Sequence, residues 1–512
     1  MLVKTYGGAI HGIDATLITI EVSVSKGKDF HLVGLPDKAI QEAKIRIDTA
    51  LKNINFNSPQ KKTVVNMAPA DLKKEGAVYD LPIAIGILGA TAQVNKEKIG
   101  DYIMMGELSL DGKIQAIKGA LPISIQAKNK GFKGIILPFE NAKEAAIVDN
   151  LEVYGFNTIN EVIDFCNGQK KTKPFFINTR KKFLENLDDT DFDFEDVKGQ
   201  ENIKRSMEIA AAGGHNLILI GPPGSGKTML AKRFSSILPP MTLREALETT
   251  KIHSVAGKLG SEEGLIAQRP FRSPHHTISD VALIGGGIRP QPGEVSMAHN
   301  GVLFLDELPE FKRTALEVLR QPLEDRNVSI SRSKFSVNYP ASFMLIASMN
   351  PCPCGYYNHP DKECLCPGGT VQKYLNKISG PLLDRIDLHV EVTPVSFDEL
   401  SDSRSGEKSI LIRKRVFTAR QIQTNRYFQT KKVHCNAQMN STHLKTFCSL
   451  TTECNSLLKK AMNKLNLSAR AYNRILKVAR TIADLEGLNQ IKPSHIAEAI
   501  QYRSLDRDNW AG

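Results

Sequence analysis

A glycine-rich turn between an apolar strand and a helix is the feature that most constrains the fold of this chain. Residues 217–230 read LILIGPPGSGKTML, and the turn matches the pattern G-x-x-x-x-G-K-[S/T]. Backbone N–H groups of such a turn, together with the positive end of the following helix, bind phosphate oxygens. The turn therefore predicts a parallel α/β domain that binds a nucleotide through Gly221, Pro222, Pro223, Gly224, Ser225, Gly226, Lys227 and Thr228.

An acidic pair ends a second apolar strand, VLFLDE, at residues 302–307. Asp306 can hold Mg2+ together with Thr228, and Glu307 can polarise an attacking water. Lys227 can reach the outer phosphates of the nucleotide. Because the two elements stand in this order along the chain, the sequence predicts binding and hydrolysis of ATP with Mg2+.

A third apolar strand, FMLIAS at 343–348, leads to Asn350. An amide side chain at this strand end can orient the attacking water or sense the outer phosphate. Spacing alone equally allows an asparagine that forms a turn before Pro351. Three buried strands with helical patterns between them predict a parallel sheet.

Length and local pattern divide the chain into regions. A chain of 512 residues exceeds one comfortable core and predicts about three domains. Residues 1–168 alternate strand and helix patterns, as in a compact α/β unit, and residues 169–192 pass from basic to acidic, as in a linker. Residues 193–395 carry the nucleotide-binding strands, and residues 396–512 are helical after the polar stretch SDSRSGEKS.

Charge and hydropathy limit the partners and the location. The balance of 67 Lys and Arg against 55 Asp and Glu gives a net charge of +12, which favours a polyanionic partner such as DNA. A basic protein that binds no nucleic acid is the alternative. The first residues lack the continuous apolar core of a secretory signal, and the longest apolar run, LPIAIGILGATA, is too short to cross a bilayer. We therefore expect a cytoplasmic protein without a membrane partner.

Eight cysteines in a cytoplasmic protein favour thiols or metal ligands over disulfides. Four of them form one C-x-C pair and, after nine residues, a second: Cys352, Cys354, Cys364 and Cys366. Two close pairs of soft ligands around a glycine-containing turn suit a tetrahedral structural Zn2+. Unligated reduced cysteines are the alternative, and neither interpretation gives the cluster a catalytic role.

The order of the three strand-end elements resembles that of AAA+ ATPases. Within it, the segments RPFRSPHHTISDVALIGGG, PGEVSMAHNGVLFLDELPEF and SGPLLDRIDLHVEV resemble the magnesium-chelatase-like branch. These segments are most similar to those of the YifB/ComM family. The resemblance covers nearly the whole chain, and the motifs occur in the same order. This resemblance implies a central AAA+ domain with a parallel sheet and a C-terminal helical lid.

The resemblance also implies a homo-oligomeric ring, expected to be hexameric, with nucleotide sites between subunits. Arg385 in LLDRIDL resembles the arginine finger that reaches a neighbour's nucleotide, where its charge stabilises the transferring phosphoryl group. Arg470 in LSARAYNR resembles the sensor arginine of the lid, and Arg474, one turn on, is the substitute. Surface ion pairs on helices are the alternative for each.

Two polar segments are candidates for contact with DNA. QRPFRSPHHTIS carries Arg269 and Arg272, and NVSISRSKFSVNYPASF alternates like a hairpin with Arg332 and Lys334 near its tip. In a ring such loops can follow a phosphate backbone, because Lys and Arg neutralise phosphates whatever the base sequence. Solvated loops that shape subunit contacts are the alternative.

The first region resembles the Lon-protease-like domain, an α/β fold of the ribosomal protein S5 type. The resemblance rests on MAPADLKKEGAVYDLPIAIGIL and on GELSLDGKIQAIKGALPISIQAKNKGFKGIILPFENAKEA. Peptide hydrolysis there needs a serine nucleophile and an activating lysine. This chain has Ala77, Val78 and Tyr79 where the serine is expected, and the helix after Gly119 lacks the lysine. We therefore expect a non-proteolytic domain.

Three functions are consistent with these patterns. The first is an ATP-driven ring motor on DNA, most concretely a branch-migration helicase in recombination or natural transformation, as the family resemblance implies. The second is a motor that remodels a protein partner, as in metal insertion into a porphyrin. The third is a nucleotide-gated scaffold with slow turnover. They differ in what stimulates turnover, which is DNA, a protein partner, or neither.

Overall fold

The chain forms two compact units in the structure, which is a computed structural model. It describes residues 1–506 except 57–60, 170, 181–182, 184–191, 261–263, 288–289, 333–334, 360, 396–405, 431–432 and 466. Much of the predicted linker at 169–192 therefore lies outside the described residues. The first unit comprises Met1–Leu187, Thr242–Ala267 and Ser331–Tyr339, and the second comprises Asp188–Met241, Gln268–Ile330 and Pro340–Gly512.

A mixed sheet forms the centre of the first unit. Among the described residues the strands are β1 (Leu2–His11), β2 (Asp14–Ser25), β3 (Phe30–Val33), β4 (Lys62–Ala68), β5 (Tyr102–Met104), β6 (Glu107–Leu108), β7 (Ile114–Gln115), β8 (Gly134–Pro138) and β9 (Glu152–Phe156). The sheet has the order β3-β4-β2-β1-β5-β8-β9, and β6 and β7 form a separate ribbon. β1, β2 and β4 are antiparallel neighbours, whereas β5, β8 and β9 run parallel.

Helices cover this sheet. They span Lys38–Gln41, Ala43–Asn53, Asp80–Ala90, Ala120–Asn129, Ala142–Ala145, Ile159–Cys166 and Leu243–Ala256. The helix Asp80–Ala90 is buried at every position, and it approaches β2 so closely that a Cβ on Gly86 would lie 2.6 Å from Val22 Cγ2. Alternate residues of β2, from Ile18 to Val24, are buried beneath the helices, as the alternating sequence pattern predicts.

One segment of the first unit comes from the middle of the chain. The helix Leu243–Ala256 begins with a capping box between Thr242 and Glu245. Near its other end the hydroxyl of Ser254 donates to the buried carboxylate of Glu144, which also accepts the backbone N–H of Leu121 at 2.7 Å. Burial raises the pKa of Glu144, and these donors oppose that shift. Hydrogen bonds to a buried carboxylate thus attach the segment to the first unit.

A parallel sheet forms the centre of the second unit. Its described strands are β10 (Leu217–Ile220), β11 (Phe271–Arg272), β14 (Val302–Leu305), β17 (Met344–Met349) and β18 (Leu388–Glu391), in the order β11-β14-β17-β10-β18. β12 (Gly285–Gly286) pairs with β13 (Gln291–Pro292). β15 (Asn327–Arg332) forms the predicted hairpin with β16 (Phe335–Pro340), of which Ser331–Tyr339 is counted with the first unit. The parallel sheet and its strands β10, β14 and β17 confirm the sequence prediction.

The helices of the second unit pack against this sheet and against one another. They span Glu201–Gly213, Lys227–Ile237, Asp280–Ile284, Glu294–Met297, Arg313–Val318, Arg320–Asp325, Thr370–Leu375, Gly380–Leu383, Ser409–Arg426, Ser441–Phe447, Thr452–Leu465, Ala469–Leu485 and Pro493–Gln501. Ile475, Ile482 and Ile496 are fully buried in the same hydrophobic core as Leu219 of β10 and Phe234. The C-terminal helices therefore belong to one core with the parallel sheet, and their apolar faces confirm the helical prediction.

Candidate nucleotide site

The glycine-rich turn lies between β10 and the helix Lys227–Ile237. Gly224 and Gly226 have φ values of +80° and +84°, a region in which residues with a Cβ are strained. A Cβ on Gly221 would lie 2.4 Å from the carbonyl oxygen of Val392, because the turn passes close to the chain after β18. Glycine at these positions thus lets the backbone adopt the phosphate-binding turn that the sequence predicts.

The ammonium group of Lys227 lies at the centre of this turn. Its Nζ donates to the carbonyl oxygens of Gly221 and Pro222, at 2.7 and 2.8 Å, and to Oδ1 of Asn350 at 3.2 Å. Burial lowers the pKa of Lys227, while the carboxylates of Asp306 and Glu307 oppose that shift. Asn350 therefore lies beside the phosphate-binding lysine, where an amide can sense a phosphate.

The carboxylate of Asp306 lies at the start of the same helix. Its Oδ2 accepts the hydroxyl of Thr228 at 2.7 Å, and its Oδ1 accepts the hydroxyl of Ser348 from β17. A hydroxyl and a carboxylate at this distance are oxygen ligands of the kind that Mg2+ prefers. The predicted magnesium pair is therefore brought together, and Ser348 holds the second oxygen of its carboxylate.

Glu307 stands beside Asp306 in a left-handed backbone conformation, with φ of +53°. Its backbone N–H donates to Oδ1 of Asp306 at 3.1 Å, and its side chain remains 58% exposed. The Nδ1 atom of His276 lies 3.5 Å from Glu307 Oε2. The unusual backbone conformation directs an accessible carboxylate to the site, as a residue that activates water requires.

Two residues of this site were not assigned to it from the sequence. Ser348 is a polar residue inside a buried strand, and that pattern is a signal that could have been used. His276 belongs to a loop that the sequence suggested for contact with DNA, and the pattern gives no sign that its ring faces Glu307. Its ring also stands edge-on to Phe311, with the ring centroids 6.4 Å apart.

Arg385 belongs to a second group of basic side chains. Arg385 pairs with Glu324 and donates to the carbonyl oxygen of Pro381 at 2.6 Å. Arg470 pairs with Asp384 at 2.7 Å, although its side chain is 67% exposed. A cavity of about 250 Å3 is lined by residues that include Arg385, Arg470, Arg474 and Lys477. The predicted finger and both candidate sensor arginines thus lie around one cavity.

Arg474 differs from Arg470 in its degree of burial. Its Nη1 lies 2.9 Å from Asp387 Oδ1, and the other oxygen of this fully buried carboxylate lies 2.9 Å from Nδ1 of His215. Burial alone would raise the pKa of Asp387, but Arg474 and His215 hold it far below its usual range. Arg474 is therefore committed to a buried ion pair, and Arg470 is the more accessible of the two arginines.

The four cysteines converge on one point. The sulfur of Cys352 lies 3.2 Å from that of Cys354 and 3.7 Å from that of Cys364, and all four sulfurs, including Cys366, lie within 4.8 Å of one another. Thiolates about 2.3 Å from a zinc ion in a tetrahedron stand about 3.8 Å apart. The donor set and its spacing therefore fit a tetrahedral zinc site.

Comparison with known proteins gives matches along the whole chain. Family models described as "Subunit ChlI of Mg-chelatase", "Magnesium chelatase, subunit ChlI" and "Magnesium chelatase, subunit ChlI C-terminal" match residues 20–141, 193–400 and 406–503. Competence protein ComM of Haemophilus influenzae is 45% identical over 510 residues, which cover 99% of this chain and 98% of that protein. The uncharacterized protein YifB of Escherichia coli is 42% identical, covering 97% and 96%.

The chain belongs to the YifB/ComM family of magnesium-chelatase-like AAA+ proteins. Membership of this family indicates ATPase activity, in agreement with the residues around Lys227. Lon protease 2 of Bacillus subtilis is a partial match, 29% identical over 201 residues, which cover 34% of this chain and 35% of that protein. Within the described residues, no helix is long and apolar enough to cross a membrane.

The residues that stand where a Lon-type serine is expected, Ala77–Tyr79, lie in the first unit. Ala77–Tyr79 form a short 3-10 turn that leads into the helix Asp80–Ala90. The buried hydroxyl of Tyr79 donates to the carbonyl oxygen of Gly8 at 3.1 Å, and burial raises its pKa strongly. A phenol held in this way is a poor nucleophile. The expected lack of proteolysis stays a prediction.

The arginines suggested for DNA contact have different surroundings. Arg269 donates to the carbonyl oxygens of Pro239 and Asn300, both at 2.7 Å, and Arg272 forms a bidentate pair with Glu294 at 2.6 and 2.8 Å. These contacts give both side chains a structural role inside the second unit. Arg332 ends the first strand of the hairpin, and Lys334 lies outside the described residues.

Proposed function

We propose that this chain is an ATP-driven ring motor that acts on DNA in the cytoplasm, most concretely a branch-migration helicase in recombination or natural transformation. The observation that carries the proposal is the convergence of Lys227, Thr228, Asp306, Glu307 and Asn350 at one edge of the parallel sheet. The name of the Haemophilus relative, competence protein, supports a role in competence.

In this proposal each residue of the nucleotide site has one role in hydrolysis. Lys227 and the backbone of the turn bind the outer phosphates of ATP, and Thr228 and Asp306 hold Mg2+. Bound Mg2+ neutralises charge on the phosphates. Glu307 accepts a proton from the attacking water, whose oxygen forms a bond to the terminal phosphorus as ADP leaves. Asn350 contacts the outer phosphate beside Lys227.

The arginine cavity supports a site that two subunits complete. Arg385 and Arg470 each pair with an acidic residue in one chain, Glu324 and Asp384. In a ring, Arg385 would reach the nucleotide of the neighbouring chain and stabilise the charge of the transferring phosphoryl group, and Arg470 would act as the sensor arginine of the lid. A homo-oligomeric ring, hexameric as the family resemblance implies, is therefore part of the proposal.

The track in this proposal is single-stranded or branched DNA. The net charge of +12 favours a polyanion, and DNA binding through phosphates requires no base contacts. Arg269 and Arg272 are engaged within the unit, so the proposed contact is the hairpin tip with Arg332 and Lys334. Hydrolysis at one interface would move such tips along the backbone.

The proposal also includes a structural zinc site at the cysteine cluster. Cys352, Cys354, Cys364 and Cys366 would hold the ion, and their sulfur spacing fits a tetrahedron. The ion would supply cross-linking and no catalytic chemistry, because four thiolates leave no open coordination position. The described part of 351–369 contains no helix or strand, so ligation would replace packing as the source of order.

The proposed function is tested by the steady-state ATPase rate with no DNA, with single strands, with duplex and with a four-way junction. We expect a salt-sensitive increase with junction or single-stranded DNA that the Lys227→Ala variant lacks. A rate that is the same with every DNA would contradict the proposal that DNA is the track.

A second function, remodelling of a protein partner, is favoured by the matches to magnesium-chelatase family models over all three matched segments. In that case the ATPase rate would respond to a protein and not to DNA. The same experiment separates the two functions when it is repeated with candidate partner proteins in place of DNA.

A further inference from the structure

The cysteine cluster lies directly against the phosphate-binding turn. Gly355 has φ of +85°, and a Cβ at this position would lie 2.5 Å from Cδ of Pro223 in the turn. The backbone N–H of Gly355 donates to the carbonyl oxygen of Cys352 at 3.0 Å, which closes a tight turn between the first two cysteines. The backbone of the cysteine segment therefore supports one side of the phosphate-binding turn.

The chain after the cluster returns to the same site. Tyr374, in the helix Thr370–Leu375, is buried. A cavity of about 410 Å3 is lined by Glu307 and Asn350 of the proposed nucleotide site and by Pro353 and Tyr374 from the segment that holds the cysteines and the helix after it. Residues after Cys352 and after Cys366 thus share one cavity with Glu307 and Asn350.

We propose that Zn2+ bound by the four cysteines holds the phosphate-binding turn in position, so that the affinity for ATP depends on metal occupancy. This inference rests on the proposed nucleotide site. Among the described residues of 351–369, only Pro351, Cys352 and Gly355 are buried, so without the ion little packing would hold the segment and its support for Pro223 would be lost. Nucleotide binding, and not only the chemical step, would therefore weaken.

The first test uses the full chain and two readouts, zinc per chain by mass spectrometry of the metal and the Kd for a fluorescent ATP analogue. We expect about one zinc per chain, and an increase in Kd of about tenfold or more after removal of zinc with a thiol reagent and a chelator. Reduction and added Zn2+ should restore the affinity of the original protein. An unchanged Kd after complete removal of zinc would overturn the inference, as would purified protein that binds no zinc.

Variants locate the effect. Cys364→Ser and Cys366→Ser should lose zinc and bind the analogue weakly whether or not Zn2+ is added. Cys448→Ala alters a buried cysteine outside the cluster and should keep both properties. Normal affinity in the two cluster variants without zinc would overturn the inference.

A pair of glycines separates the contact with Pro223 from metal binding itself. Gly355→Ala places a methyl group against Pro223, whereas a Cβ on Gly369, which has a similar φ of +77° in the segment after the cluster, meets nothing within 4 Å. Both variants should retain one zinc per chain, and only Gly355→Ala should weaken binding of the analogue. Equal affinities would overturn the proposed contact. If the unaltered, zinc-loaded protein fails to bind the analogue at all, the proposed nucleotide site fails as well.

Discussion

The two sheets of this molecule differ in what stands at the carboxyl ends of their parallel strands. In the first unit β5, β8 and β9 lead to Met105, Phe139 and Asn157, so neither a glycine-rich turn nor a carboxylate directly follows any of them. In the second unit β10, β14 and β17 lead to the glycine-rich turn, to Asp306 and to Asn350. Ligands of open α/β sheets bind at these ends. Similar architecture thus provides a position for a site, and the residues at the strand ends decide whether one exists.

The largest expected effect comes from Arg385, the residue proposed to act on a neighbour's nucleotide. Arg385→Ala should lower the ATPase rate by about 1,000- to 100,000-fold, the range for arginine fingers. Mixing this variant with Lys227→Ala should restore part of the rate, because one chain supplies the intact turn and the other the arginine. The control is Arg320→Ala, which removes only a partly exposed pair with Glu317. No recovery in mixed rings would mean that Arg385 acts within its own chain.

A smaller loss is expected when the water-activating carboxylate is removed. Glu307→Gln should lower the ATPase rate by about 100- to 10,000-fold, because the amide cannot accept the proton of water. Binding of a fluorescent ATP analogue should remain within about twofold, since the phosphate contacts come from Lys227 and the backbone. Glu201→Gln, an exposed carboxylate in the same unit, is the control. A parallel loss of binding and rate would show that Glu307 shapes the pocket instead.

Ser348 tests whether the strand next to Asp306 contributes to the metal site. Ser348→Ala removes the hydroxyl that donates to Asp306 and should raise the Mg2+ concentration for half-maximal ATPase by about tenfold, the scale of one hydrogen bond to a charged group. Ser331→Ala, at an exposed hairpin position, is the control. An unchanged Mg2+ dependence would show that the hydroxyl does not position the carboxylate.

The smallest effect is expected in the first unit and concerns stability alone. Burial raises the pKa of Asp80 to about 6, although Arg46, at 2.7 Å, opposes that shift. Because the folded state holds the proton more tightly, this contribution to stability is complete below about pH 4 and is lost as pH rises through about 6. The unaltered protein should therefore melt at a higher temperature relative to Asp80→Asn at pH 4.5 than at pH 7. This difference in melting temperature should decrease by roughly 4 °C over that range. A difference that grows with pH would contradict this account.

Much of the second unit could be predicted because its signals are local. Continuous apolar runs predict buried parallel strands, and β10, β14 and β17 confirm them. The glycine-rich motif identified Lys227, and polar residues at the ends of the other two runs identified Asp306 and Asn350; the fold brings the three together. The two outer strands, β11 and β18, were not named, since β11 has only two residues and the apolar run of β18 is interrupted by His389 and Glu391.

Other features depend on contacts between distant parts of the chain. The sequence of the helix Leu243–Ala256 does not indicate that Ser254 will donate to Glu144 in the first unit. In the same way, the charges of Arg269 and Arg272 are visible, and their internal acceptors are not. The sequence shows which residues have charged or polar side chains. The fold decides which of them already form hydrogen bonds or ion pairs within the chain.

Dissociation of a labelled four-way junction tests the central claim most directly. The full chain with ATP and Mg2+ should convert the junction into two duplexes, with Lys227→Ala and Glu307→Gln as matched inactive variants. The account predicts conversion that requires ATP hydrolysis and is absent from both variants. A protein that hydrolyses ATP yet leaves the junction intact, or that dissociates it equally well without ATP, would contradict the account.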